Sequence, residues 1–162
     1  MPSSPGTRQV HEVGDGNRRS LEHFHMNGQG IFLFTQTDVP RMLEGLLAFA
    51  GVSAADVDYF LFHQPNRFLL RKLGQRLGVG PDRLFDNVVG LYGNSSSATI
   101  PIVTCQNLAA QLVANRYRVC LGGFGVGLSW GGMIMHLGPL HFCELAEVPS
   151  GAIASAAHGG GI

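Results

Sequence analysis

The chain has 162 residues, a formal net charge of +0 and only 14% charged residues. That length is one domain with room for a buried core, and the charge balance argues against nucleic acid as the main partner. No apolar run approaches the ~20 residues of a membrane-spanning helix, and the opening MPSSPGTRQ lacks the apolar core of a secretion signal.

Residues 1–7 read as disordered. Arg8–Val13 predicts a first strand, followed by a turn at Gly14-Asp15-Gly16-Asn17. A glycine-marked approach containing Met26, Gly28, Ile31 and Phe32 leads to the first helix. Met42, Leu43, Leu46, Leu47 and Phe49 share one face between Arg41 and Ala50, so a helix is expected there. Pro40 stands near its start and Gly51 where a C-terminal cap belongs.

Tyr59-Phe60-Leu61-Phe62 is a short apolar run that reads as a buried strand. It ends in His63-Gln64-Pro65-Asn66, and Pro65 opens a helix more readily than it continues a strand. The helix expected at 66–77 places Leu69, Leu70, Leu73 and Leu77 in one stripe, and Gly78 ends it. Arg67, Arg71, Lys72 and Arg76 spread over the other side, with no acid among them. That face is either simply solvated or docks an anionic partner.

A strand is expected at 84–89, then a tight loop, Gly93-Asn94-Ser95-Ser96-Ser97-Ala98, entering a helix over 96–113. That helix is apolar around most of its circumference and reads as buried; Pro101 either kinks it or marks a late start. Arg118–Gly123 predicts a central strand, Gly125-Val126-Gly127 a sharp turn and Leu128–Leu137 a returning strand. Residues 150–162, rich in Ala and Gly, read as a disordered tail.

Two tracts, 87–115 and 119–143, contain no Asp, Glu, Lys or Arg. The elements they form are expected to be buried on all sides or covered by another polypeptide. Cys105, Cys120 and Cys143 have no paired spacing and read as free thiols of a reducing compartment, so a cytoplasmic protein is expected. His23 with His25, and His136 with His141 and Cys143, match no common zinc spacing, and no metal is expected. His63 at a strand end stands where α/β sheets bind ligands and where an imidazole exchanges protons near neutrality. The plainer alternative is that it caps the following helix.

The motif His63-Gln64-Pro65-Asn66, the loop Gly93–Ala98, the turn Gly123–Gly131 and the segment Met26-x-Gly28-x-x-Ile31-Phe32 together resemble the C-terminal half of β-ketoacyl-acyl-carrier-protein synthase III. They occur in that family's order and at close to its spacing, over roughly residues 8–138. The resemblance implies an α/β fold, one βαβαβαββ half of the thiolase fold, with a five-stranded mixed sheet and helices on both faces. It implies a half-domain over 8–149, with the uncharged helix in the central layer.

The implied chemistry is transfer of an acyl group from coenzyme A to a cysteine, then a decarboxylating Claisen condensation with malonyl-acyl carrier protein. The resemblance assigns His63 and Asn94 as hydrogen-bond donors to the thioester oxygen as the enolate forms, and the Val126 N–H to the other oxyanion. The family usually has glycine or alanine where Val126 stands, so the valine side chain is expected to narrow the acyl pocket or bias the turn. Gly28, Asn66, Arg67, Arg71 and Lys72 are implied to bind substrate or acyl carrier protein. No cofactor is implied beyond the acyl-CoA and malonyl-carrier substrates. The family's nucleophilic cysteine lies in the N-terminal half, at a helix start, and none of the three cysteines here has that place. The chain is therefore expected either to work with a matching N-terminal half or ketosynthase subunit, as a homo- or hetero-oligomer, or to be a non-catalytic, truncated or diverged half that binds carrier protein or a synthase partner. A generic α/β domain would not join His63, Asn94 and the glycine hairpin.

Overall fold

A computed structural model describes residues 2–14, 16–23 and 26–148; the tail expected at 150–162 lies outside the described residues. The chain divides into two compact units, Met1–Leu33 and Phe34–Ile162.

In the first unit, residues 5–8 form a short helix (α1, Pro5–Arg8) rather than disorder, because Ser4 and Thr7 close a reciprocal capping box around it. The expected first strand shortens to β1 (His11–Glu12), paired antiparallel with β2 (Arg18–Arg19). The connecting turn is closed by Val13 N–H to Asn17 O at 2.9 Å and Asn17 N–H to Gly14 O at 3.0 Å.

Helix α2 runs from Gly28 to Ala50, beginning in the first unit and continuing through the second. It starts a dozen residues before the expected position and carries Pro40 in its interior. Burial of Phe34, Val39, Pro40 and Leu43 on its inner face outweighs the hydrogen bond that proline forfeits. Gly51 ends the helix in the left-handed conformation (φ 65°), with Val52 N–H returning to Leu47 O at 3.1 Å.

The second unit is built on β3 (Tyr59–Phe62), β4 (Tyr117–Gly125) and β5 (Ser129–Leu137). β3 lies parallel to β4, with Phe62 opposite Gly122, and β4 lies antiparallel to β5, with Gly125 opposite Ser129. The sheet is mixed, as expected, but among the described residues it has three strands rather than five. The strand expected at 84–89 contracts to a single parallel bridge between Leu84 and Phe60. Side chains take its backbone acceptors: Gln64 donates to Phe85 O and Arg67 to Asp86 O. Helix α4 (Val88–Tyr92) follows at once.

Helices cover both sheet faces. On one, Phe60, Phe62, Cys120 and Phe124 pack with Val39 and Leu43 of α2 and with Leu70 and Leu73 of α3 (Arg67–Leu77). On the other, Leu61 and Val119 pack with Val103, Leu108 and Leu112 of α5 (Thr99–Ala114). α3 has the predicted stripe and ends, as expected, at Gly78 (φ 66°). α5 begins at Thr99 after a 3₁₀ turn at Ser96–Ala98, so Pro101 falls in the first helical turn, where it is tolerated. In this chain α5 is buried on one side only: Pro101 and Val113 are exposed.

Two β-glycines let the first face close. A Cβ at Gly132 would stand 2.9 Å from Leu46, and one at Gly122 would stand 2.7 Å from the ring of Phe62, which is fully buried. Gly122→Ala is therefore expected to cost about 1–3 kcal/mol of stability, read as a lower denaturant midpoint at unchanged slope. Gly123→Ala, where a Cβ meets nothing within 4 Å, serves as the control and should stay near the native midpoint.

Candidate active site

His63 stands one residue past β3, where its own N–H donates to Gly122 O at 2.8 Å and closes the β3–β4 ladder. It does not cap α3. Asn66 does, its side-chain oxygen accepting from Phe68 N–H at 2.8 Å and Leu69 N–H at 3.4 Å. The half-buried imidazole packs edge-on to Phe124, with ring centroids 5.7 Å apart. Its Nδ1 lies 2.7 Å from Thr99 Oγ1. Burial pushes the ring's pKa below the ordinary imidazole value, and a backbone hydrogen bond at Ser96 opposes this.

Thr99 is fully buried at the first position of α5. Its Oγ1 accepts from Gln64 N–H at 3.2 Å and lies 2.8 Å from Ser96 O. Ser96 is held at φ 52°, a left-handed conformation that is uncommon away from glycine. Its N–H donates to Asn94 Oδ1 at 3.0 Å. Asn94 is exposed, with its oxygen turned into the loop; its amide nitrogen has no hydrogen-bond partner among the described residues. No bond joins His63 to Asn94 directly. Their two loops are linked through Thr99 and Ser96.

Val126 occupies the β4–β5 turn, and its side chain is 81% exposed. It neither fills a cavity in this chain nor hinders the turn, which Ser129 Oγ closes by donating to Val126 O at 2.9 Å. Gly28 opens α2 in the first unit, and a Cβ there would meet nothing within 4 Å. The basic face of α3 does meet an acid, contrary to its reading as an isolated set of cations. Arg71 Nε donates to Asp86 Oδ2 at 2.5 Å, and Arg67 Nε lies 4.0 Å from Asp86 Oδ1. The acid comes from a different segment, so a helical projection of α3 cannot show it. Lys72 extends over the Phe68 ring, 5.9 Å from its centroid.

Gln64 and Ser96 lie inside motifs singled out in the sequence but carried no role there, and Thr99 lies outside those motifs. Gln64 is fully buried and donates to Phe62 O at 3.2 Å and Phe85 O at 2.9 Å, tying β3 to the segment after Leu84. The one signal for Thr99 is a hydroxyl at the head of an apolar helix. The cysteines behave as structural thiols. Burial pushes Cys120 up to about 12. Burial, with a hydrogen bond to Cys105, pushes Cys143 up to about 11; the two sulfurs lie 3.6 Å apart. Neither raised thiol is an activated nucleophile. Among the described residues, no group of three or more His, Cys, Asp or Glu is arranged to hold a metal, and no helix is long and apolar enough to cross a membrane.

Residues 47–137 match the family profile described as 3-Oxoacyl-[acyl-carrier-protein (ACP)] synthase III C terminal. Beta-ketoacyl-[acyl-carrier-protein] synthase III of Synechococcus elongatus is 40% identical over 113 residues, covering 70% of this chain and 33% of that protein. The enzyme of the same name from Streptococcus uberis is 38% identical over 114 residues, covering 69% and 35%. The crystal structure of 3-oxoacyl-(acyl-carrier protein) synthase from Burkholderia xenovorans LB400 matches with a TM-score of 0.73 at 36% identity, over 78% of this chain and 36% of that one. The chain thus spans about a third of the length of the curated relatives it matches.

The buried imidazole has a consequence for stability. With its folded pKa depressed, the unfolded chain binds more protons just below the ordinary imidazole value of about 6.5. The stability that the neutral ring contributes is complete above that value and is lost as pH falls through the folded pKa. Thermal unfolding midpoints should therefore decline on acidification below about pH 6.5, and less steeply for His63→Gln. Superimposable pH profiles for the two proteins would contradict this.

Proposed function

The chain belongs to the 3-oxoacyl-[acyl-carrier-protein] synthase III C-terminal family, and we propose that it supplies the His63/Asn94 half of a decarboxylating acyltransferase of that type. Its α/β architecture is one half of the thiolase fold. The reading rests on one observation above all: the hydrogen-bonded link from His63 through Thr99 and Ser96 to Asn94, which ties together the loops carrying the two polar groups the chemistry needs.

In the proposed reaction an acyl group passes from coenzyme A to a cysteine in the part of the enzyme that this chain does not span. Malonyl-acyl carrier protein then loses carbon dioxide. The electron pair of the broken bond is held as an enolate, whose oxygen accepts from His63 and from the Asn94 amide. The carbanion attacks the acyl-cysteine carbonyl, displaces the thiolate and yields the β-ketoacyl product. The Val126 N–H faces the oxyanion of that step, and Asn66 borders the substrate's path.

Surfaces support the partners. Leu91, Val113, Leu128, Trp130 and Met133 are exposed apolar side chains within the uncharged tracts, as suits cover by a matching half in a homo- or hetero-oligomer. The outer face of α3 is the docking surface for an acidic carrier protein, with Lys72 and Arg76 forward of the Asp86-paired Arg67 and Arg71. The free cysteines Cys105, Cys120 and Cys143 fit a reducing, cytoplasmic setting. They also fit a second reading, in which the chain binds carrier protein or a synthase partner without chemistry.

Reconstitution with an N-terminal half carrying the cysteine separates the two readings. Asn94→Ala should lower condensation about 10²–10³-fold while cysteine acylation from labelled acyl-CoA, followed by intact mass, proceeds. Equal loss of both steps would mean the role is misassigned, and no condensation by the native pair would favour the non-catalytic reading. Independently, Lys72→Glu with Arg76→Glu should weaken carrier-protein binding and flatten its salt dependence. Unchanged affinity would return this face to plain solvation.

A further inference from the structure

Cys143 lies beyond residues 47–137, the part of the chain that the family profile matches, and no step proposed above uses it. After β5 the chain passes α5 closely at Gly138, where a Cβ would meet Asn115 O and Leu112 O. That approach lets the following segment run back along the helix. Leu140 N–H donates to Leu112 O at 2.7 Å, and Cys143 reaches Cys105, about two turns nearer the start of α5. There the Cys143 S–H donates to Cys105 Sγ at 3.6 Å, so the two sulfurs are in contact. Leu140 and Cys143 pack against the cluster containing Leu108 and Leu112, while Phe142 between them is exposed. Both thiols of the pair are partly exposed, so a small solute can reach them.

We propose that Cys105 and Cys143 form a redox-sensitive latch, which a peroxide closes as an intrachain disulfide fastening the segment after β5 to the flank of α5. In the first step the peroxide O–O bond breaks, one oxygen passes to a sulfur to give a sulfenic acid, and the other leaves as water. In the second step the neighbouring sulfur attacks, the S–O bond breaks, and the hydroxyl leaves as water with that thiol's proton. Two thiols are thereby oxidised by two electrons and one peroxide is reduced. Burial and the hydrogen bond to Cys105 hold the proton on Cys143, so the first step needs sustained oxidant. The second joins groups already in contact and outruns further oxidation. A reducing thiol pool reopens the bond by exchange, as a transient disulfide of a reducing compartment requires. The latch does not rest on the function proposed above.

The test treats the dilute native chain with hydrogen peroxide, unfolds it in a maleimide and measures its intact mass. The reduced chain should take a label on Cys105, Cys120 and Cys143, and the oxidised chain on Cys120 alone, at the mass of one chain. Dithiothreitol should restore all the labels. Chymotryptic peptides of the unreduced sample should place the bond between Cys105 and Cys143. Because the bond closes a loop between residues 38 apart, the oxidised chain should unfold about 5 °C or more above the reduced one. Peroxide should leave the midpoint of Cys143→Ser unmoved. Free thiols throughout after peroxide, sulfinic acids in place of a bond, or a bond between chains overturns the proposal, whether or not the serine variant folds. So does a bond to Cys120, or a bonded chain whose midpoint does not rise.

Discussion

The parallel register of β3 on β4 is the constraint from which the site follows. Phe62 lies opposite Gly122 because only a residue without a side chain leaves room for that ring. With this pair set, the last rung falls to His63 N–H and Gly122 O, and the imidazole emerges beside Phe124 at the strand's carboxyl end. A one-residue slip would exchange Leu61 with Phe60 and Phe62 between the two faces. It would set aromatic rings against α5 and leave a void under α2 and α3. The two cores on opposite faces therefore hold the histidine in place, although neither touches a ligand.

Local features were the legible ones. β3, α3 and its glycine stop announce themselves within the continuous stretch 59–78, as does the β4–β5 hairpin within 117–137. The His63 motif was visible because family resemblance and strand-end position agree; the Asn94 loop follows α4 rather than a strand and was visible through the resemblance alone. What was hidden depends on contacts between distant segments. Pro40 sits inside α2 because burial against the sheet, absent from any helical projection, offsets its missing hydrogen bond. The segment after Leu84 looks like a strand by composition, but Gln64 and Arg67 take the carbonyls a ladder would need. Asp86 joins the cations of α3 from outside the helix. Thr99 has no periodic or motif signature at all, since its importance comes only from which ring nitrogen the fold brings to it.

Packing within the chain explains the charge-free tracts only in part. The inner side of α5 lies on Leu61 and Val119, but Val113 on its outer side and Trp130 and Met133 on β5 are exposed. The chain spans about a third of its relatives' length, and these apolar side chains are not covered within it. Packing within the chain thus accounts for the apolar composition of the inner side of α5 alone.

Ser96 carries a further consequence. Its left-handed backbone costs on the order of 1 kcal/mol or more for a residue with a side chain, and that cost is met once, when the chain folds. The strained turn joins one of its peptide groups to Asn94 and the next to Thr99, so both side chains are already oriented in the folded chain. The orientation of Asn94 and Thr99 is then fixed by folding itself. A glycine at that position would fold with less strain, but it would lose more conformational freedom on folding.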